Sequence, residues 1–254
     1  MIASPLLFSD AGTPRVPGVY GARTWRPTRG VILDLDNTLY PLGRYTMSGF
    51  AAVAAHVAST AHVPADQAYA LLANCEANGQ RQTAFQSLCH RFDLDAETIP
   101  VLIEVFRAHR PRIFLGNSAR TLLQGLRADG WQTAVLTNGL PAVQARKAEA
   151  LGLNGLVDHV LYAEQLAPGG KPARATFAAA LRRLGTRAER TVCIGDDPRC
   201  DVAGARAAGM ATVRITTSLI EVDPSLEADV VVESLDEVRL AASSLLEGVK
   251  RHAA

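Results

Sequence analysis

Six short β-rich runs, residues 31–35, 133–137, 160–162, 191–195, 211–215 and 230–232, alternate along the chain with segments whose Ala, Leu and Arg content favours helix, such as 173–184 and 202–208. Gly209 stands where the second of these helices should stop. Strand and helix in alternation predict an α/β fold, a three-layer, doubly wound, Rossmann-like parallel sheet with helices on both faces. In such sheets ligands bind beyond the carboxyl ends of the strands, so the residues at those ends become the candidates for chemistry.

The rhythm breaks once, where about ninety residues separate the first run from the second, far more than one crossover helix needs. That interval reads as helices over 45–60, 64–76, 83–92 and 96–109, with Gly79 and Pro111 as punctuation. The sequence therefore predicts an all-helical cap domain inserted at 43–111 and a core made of 30–42 and 112–246. Residues 1–29, rich in Pro, Gly and Arg, read as a flexible extension. A helical insertion that leaves the sheet just beyond the first strand can fold back as a lid and shed water from what lies beneath it.

Composition narrows the class of partner. The 254 residues are 48% hydrophobic, enough for a sizeable core, and 26 Lys and Arg against 25 Asp and Glu leave a formal charge of +1. That balance argues against a nucleic-acid or anionic-membrane partner and favours a small molecule. No stretch has the roughly 18 uncharged apolar residues that a membrane span needs. The apolar residues 2–8 are interrupted by Pro5 and lack a preceding basic residue, unlike a signal peptide. Cys75, Cys89, Cys193 and Cys200 have no zinc-like spacing and read as reduced thiols in a cytoplasmic protein, a monomer or homodimer.

The candidate chemistry begins at the first strand's exit, where Asp34 and Asp36 follow an apolar run. A carboxylate is costly to desolvate unless it is paired, hydrogen-bonded or bound to a cation, so two at a buried strand's end mark a place where charge is needed. Further signals fall at later strand ends: Thr137-Asn138-Gly139, Lys171 between Gly170 and Pro172, and Asp196-Asp197 followed by Asp201. Singly, each has an ordinary reading. Asn-Gly is a common turn, a loop lysine is usually solvated, and Asp197 or Asp201 suits a helix cap. Asp196 repeats the opening feature on a second strand and adds a carboxylate to the same rim.

Taken in order, these residues resemble the motifs of the haloacid dehalogenase-like hydrolase superfamily. Asp34-Leu35-Asp36-Asn37-Thr38 matches the first motif, Thr137 the second, Lys171 the third, and Asp196 with Asp201 the fourth. The resemblance covers roughly 30–235, and the continuation Leu39-Tyr40-Pro41 is similar to the pyrimidine 5′-nucleotidase-like branch. It implies a phosphatase acting on a small phosphate ester, such as a nucleoside monophosphate or sugar phosphate. Asp34 would serve as nucleophile and Asp36 as acid and base. Lys171, the Thr137 hydroxyl and the Asn138 backbone N–H would hold phosphoryl oxygens.

An all-oxygen ligand set suits Mg²⁺, held by Asp34, Asp196 and the backbone carbonyl of Asp36, with Asp201 orienting Lys171 or a metal-bound water and Asp197 behind it. Asp36 disfavours dehalogenation, because a halide leaves without a proton. Two other readings stay open, a phosphomutase of the same fold and a catalytically idle binding or regulatory module. Specificity should lie in the cap, where Arg81 and Arg44 are the candidate substrate-binding residues. His56, His62, His90 and His109 show no metal-like clustering and read as packed or exposed cap residues.

Overall fold

The computed structural model describes residues 28–216 and 223–248, so positions 1–27 of the expected extension lie outside the described residues. Six parallel strands, β1 (Gly30–Leu33), β2 (Gln132–Thr137), β3 (His159–Tyr162), β4 (Thr191–Gly195), β5 (Ala211–Ile215) and β6 (Val230–Val232), form one sheet in the order β3-β2-β1-β4-β5-β6. Successive side chains of a strand point to opposite faces, and β1 is sealed on both. Val31 and Leu33 pack with Leu122 and Leu126 of α5 (Asn117–Ala128) and Val238 of α10 (Leu235–Gly248), whereas Ile32 packs with Phe177 and Ala180 of α8 (Arg174–Leu184). This is the predicted three-layer arrangement.

The order places β1 beside β4 and turns the chain in opposite directions on either side of that pair. Such a switch point leaves a crevice outside the strand ends. Asp34 follows β1 there and Asp196 follows β4.

Between β1 and α5 lie four helices, α1 (Leu42–Ala61), α2 (Ala65–Ala77), α3 (Ala84–Arg91) and α4 (Thr98–Ala108). They bury an apolar cluster of their own, with Phe50 and Val53 of α1 against Leu72, Leu88 and Leu102. The inserted cap of the predicted fold is thus helical throughout. Within the cap Tyr45 stands edge-on to Phe106, ring centroids 5.5 Å apart, with His109 beside both, and Tyr45 and Phe106 also pack against the cluster of the core. His109 is buried, and that burial pushes its pKa down.

The loop between β1 and α1 departs from the sequence reading. The apolar pattern carries the first strand to Leu35, but β1 ends at Leu33. Asp34 N–H still donates to the Ile194 carbonyl at 2.8 Å, and then the chain folds back, with Leu39 N–H donating to Leu35 and Asn37 N–H to Tyr40. Asn37 takes the left-handed conformation (φ 60°), and its side-chain oxygen accepts the Leu42 N–H at 3.0 Å. That contact helps start α1 three residues before the predicted 45. Leu35, Leu39 and Tyr40 are buried because they pin this turn to the core, not because the strand continues.

A second difference follows β4. The segment 202–208 reads as one helix, yet the chain forms a wide π-helical turn over Pro198–Ala203 before the short α9 (Gly204–Ala207). The Asp197 carboxylate caps this turn, accepting the backbone N–H groups of Arg199 and Cys200, each at 2.8 Å.

Candidate active site

Each of the two opening aspartates has its own lysine. Lys171 Nζ lies 2.5 Å from Asp34 Oδ1 and 2.7 Å from Asp201 Oδ1, and all three side chains are at most 10% exposed. Burial favours the uncharged form of each group. It pushes the Asp34 carboxyl up, against the pull of Lys171. It raises Asp201 too, again against Lys171. For Lys171 burial acts in the other direction and is outweighed by the Asp34 and Asp201 carboxylates, which hold the ammonium well above its ordinary range.

The loop carrying Lys171 is fixed by Asn138. Its side-chain oxygen accepts the Lys171 N–H at 2.8 Å, and its amide donates to the Lys171 carbonyl at 2.9 Å. Gly170 (φ 59°) is required beside this clamp, because a Cβ there would come within 2.6 Å of the Asn138 side-chain oxygen. Gly195 is required in the same sense, since a Cβ on it would strike the Asp201 carboxylate.

Asp36 is held by three donors. Lys147 Nζ reaches both of its oxygens, at 2.9 and 2.8 Å, the Tyr40 hydroxyl donates to Oδ1 at 2.6 Å, and the Gln144 amide donates to Oδ2 at 3.1 Å. Gln144 and Lys147 are one turn apart on α6 (Pro141–Ala150), the helix that follows β2, so they share one face. Lys147 also stands 4.4 Å over the Tyr45 ring of the cap. Burial lowers its pKa, with Asp36 opposing and Arg81 adding to the decrease. None of Tyr40, Gln144 and Lys147 is singled out by the sequence as a site residue. A lysine or glutamine in a helical run reads as solvated until the topology shows that α6 faces the end of β1. Only Tyr40 left a trace, in Leu39-Tyr40-Pro41.

Asp34, Asp36, Thr137, Asn138, Lys171, Asp196, Asp197 and Asp201 line one cavity of about 200 Å³. Thr137 is buried at the end of β2, its hydroxyl 3.4 Å from the Asn138 carbonyl. Asp196 accepts the Thr38 hydroxyl at 3.4 Å, and burial, followed by the nearby Asp34 charge, pushes its pKa up to about 6.

A hard cation fits this chemistry. Among the described residues Asp34, Asp196 and Asp201 each offer a carboxylate oxygen, all within 4.8 Å of one another. Oxygen-only donors suit Mg²⁺. Both Asp201 oxygens are already engaged, Oδ1 by Lys171 and Oδ2 by the Asp197 N–H at 3.2 Å, whereas Lys171 takes only Oδ1 of Asp34, so Asp34 and Asp196 are the freer pair.

The two cap arginines lie in different places. Arg81 donates to the Thr46 hydroxyl at 3.1 Å, stands 3.7 Å from Glu76, and faces a cavity it shares with Gln144 and Lys147. Arg44 stacks 4.6 Å over the Phe114 ring in a separate groove reached by Asn37 and Asp196.

Comparison with known proteins follows the same lines. A family model described as haloacid dehalogenase-like hydrolase matches residues 28–209. The ribulose-1,5-bisphosphate 5-phosphatase of Halopiger xanaduensis is 30% identical over 221 residues, which span 81% of this chain and 89% of that one. The glyceraldehyde 3-phosphate phosphatase of Methanothermobacter thermautotrophicus is 27% identical over 207 residues, 77% of this chain and 88% of the relative. A magnesium-bound HAD hydrolase of Bacillus subtilis superposes with a TM-score of 0.64 over 85% of this chain and 99% of its own, at 19% identity, a likeness of fold.

Proposed function

This chain belongs to the haloacid dehalogenase-like hydrolases, and on that premise we propose that it is a Mg²⁺-dependent phosphatase of a small phosphorylated metabolite. Asp34 is the nucleophile. The observation that carries the reading is the division of labour between the two lysines: Lys171 ties Asp34 to the phosphate cradle, and Lys147 fixes Asp36 at a different point.

In the first step an Asp34 oxygen attacks phosphorus as the bond to the leaving oxygen breaks, and Asp36 gives its proton to the departing alkoxide. In the second, Asp36 takes a proton from water, the water oxygen attacks phosphorus, and the bond to Asp34 breaks to release inorganic phosphate. Lys171, the Thr137 hydroxyl and the Asn138 N–H hold the phosphoryl oxygens as charge shifts between them. Asp34 and Asp196, with the Asp36 carbonyl, would hold Mg²⁺, which offsets the repulsion between the carboxylates and an incoming phosphate dianion. The helices α1–α4 act as the lid, with Arg81 and Arg44 as their candidate substrate contacts. The family, the four free cysteines and the absence of any described helix able to cross a membrane support a cytoplasmic enzyme.

The test is phosphate release from an aryl phosphate ester. Activity is expected with Mg²⁺, to vanish in excess EDTA, and to be lost in Asp34→Asn; full activity in EDTA or in the variant contradicts the reading. The same site predicts a thermal signature. The Asp196 carboxyl is raised from its ordinary 3.8 to about 6, so in metal-free protein its stabilising contribution is complete below the ordinary value and is lost as pH rises through about 6. A bound cation relieves that loss, so the Mg²⁺-induced rise in Tm should be larger above pH 6 than below it. An equal rise at both would contradict the assignment of Asp196.

A further inference from the structure

A cavity of about 430 Å³ opens between the cap and α6, against the donors that hold Asp36. Its polar lining is one-sided. Lys147, Arg81, Arg107, Gln82, Gln86 and Gln144 contribute cations and amides, and among the described residues that line it none is acidic. The rest of its wall is mostly apolar, from phenylalanines and isoleucines of α3 and α4 and from the start of α6.

The cationic charge is only partly spent within the protein. Lys147 is committed to Asp36. Arg81, whose side chain is 46% exposed, has Glu76 no nearer than 3.7 Å, a separation and exposure at which an ion pair contributes little. Arg107 has no ion-pair partner among the described residues.

The position of this cavity decides what enters it. Asp36 protonates the leaving oxygen, and two of its three donors, Lys147 and Gln144, are also walls of the cavity. A leaving group whose oxygen meets Asp36 and whose remainder passes Lys147 and Gln144 reaches Arg81 and Arg107. We propose that the substrate is a phosphate monoester whose leaving group carries a second anionic group, bound by Arg81 and Arg107 in the cap cavity. The inference rests on the phosphatase reading and adds the substrate class to it. A guanidinium pair recognises a carboxylate or a second phosphate through the same charge-assisted hydrogen bonds. The amides of Gln82 and Gln86 suit hydroxyl groups in between.

The test uses straight-chain esters in three- and five-carbon lengths, tipped at the far end with a hydroxyl, a carboxylate or a second phosphate. In the wild-type enzyme kcat/KM is expected to be at least about tenfold higher for an anionic tip than for the hydroxyl tip in one or both lengths. The carboxylate and phosphate arms then identify which anion the site takes. In Arg81→Met/Arg107→Met that ratio should collapse toward one, carried by KM, with Tm and the circular dichroism spectrum reporting that the variant is folded. Each single variant should lower the ratio partway. Hydrolysis of all three tips with equal kcat/KM in the wild type, or an unchanged ratio in the double variant, overturns the subsite and leaves the phosphatase reading intact. Failure to hydrolyse any of them with Mg²⁺ present overturns both.

Discussion

Lys171→Met should lower kcat/KM by about 10²–10³-fold, the cost typical of removing one preorganised donor to transition-state charge, and should destabilise the metal-free protein by about 3–5 kcal/mol. The second effect follows from burial. Lys171 is the cation between Asp34 and Asp201, and its side chain and that of Asp201 are each 3% exposed. Deleting the ammonium leaves two carboxylates in the interior without their counter-ion, whereas an apolar replacement of the whole group would cost far less. The Asp201 carboxyl is already raised, to about 7, even with Lys171 present. In the variant the orphaned acids take up protons as pH falls, so the loss of stability should shrink from pH 8 to pH 5. Denaturant unfolding at the two pH values measures this, and equal stability of variant and wild type at pH 8 would contradict the buried-triad account.

The second large effect belongs to Lys147. Lys147→Met removes the donor that reaches both Asp36 oxygens, leaving Tyr40 and Gln144, each of which reaches one oxygen only. Asp36 then loses its aim, and the benefit of general acid catalysis, typically 10²–10⁴-fold, is partly forfeited. The expected loss in kcat/KM, which reports the transfer to Asp34 and not the later attack of water, is about 10²-fold for an alkyl phosphate, whose leaving alkoxide needs a proton. For 4-nitrophenyl phosphate, whose leaving group departs as a stable anion, the loss should stay below about tenfold. Asp36→Asn should show the same leaving-group dependence. A loss of equal size on both esters would mean that Lys147 acts on the fold or on phosphate binding rather than through Asp36.

The two lysines also mark how far sequence reasoning reaches. Asp34 and Asp196 were legible because a charged residue at the end of a buried run has few structural excuses, and the parallel-sheet pattern sends such ends to one rim, whereas Lys171, an ordinary loop lysine on its own, stood out only through its resemblance to the third motif. The six strands were legible for the same reason, as short β-rich runs between helical segments. Lys147 and Gln144 were not. They sit within an ordinary helical run, and their meaning depends on α6 lying against the turn after β1, a contact more than a hundred residues away in sequence.

The strand's overrun to Leu35 has a related cause. Apolarity records burial, and Leu35 is buried by a turn rather than by the sheet. The wide turn after Asp197 was missed because its organising bonds run from one carboxylate to backbone N–H groups, which leave no hydrophobic period. Arg44 and Arg81 looked equivalent along the chain, both basic residues of a helical insertion. The fold separates them into two grooves, that of Arg81 walled by Lys147 and Gln144 and that of Arg44 by Tyr40 and Asp196.

The central claim is that Asp34 bonds to phosphorus. Acid-quenching the enzyme during steady turnover of a phosphate ester with Mg²⁺, digesting it and weighing the peptides tests this most directly. The peptide containing Asp34 should carry the mass of one phosphoryl group, in a form that hydroxylamine removes as it does an acyl phosphate, and Asp34→Asn should yield none. A phosphoryl group on another residue, or an Asp34→Asn enzyme that turns over at the wild-type rate, would contradict the account.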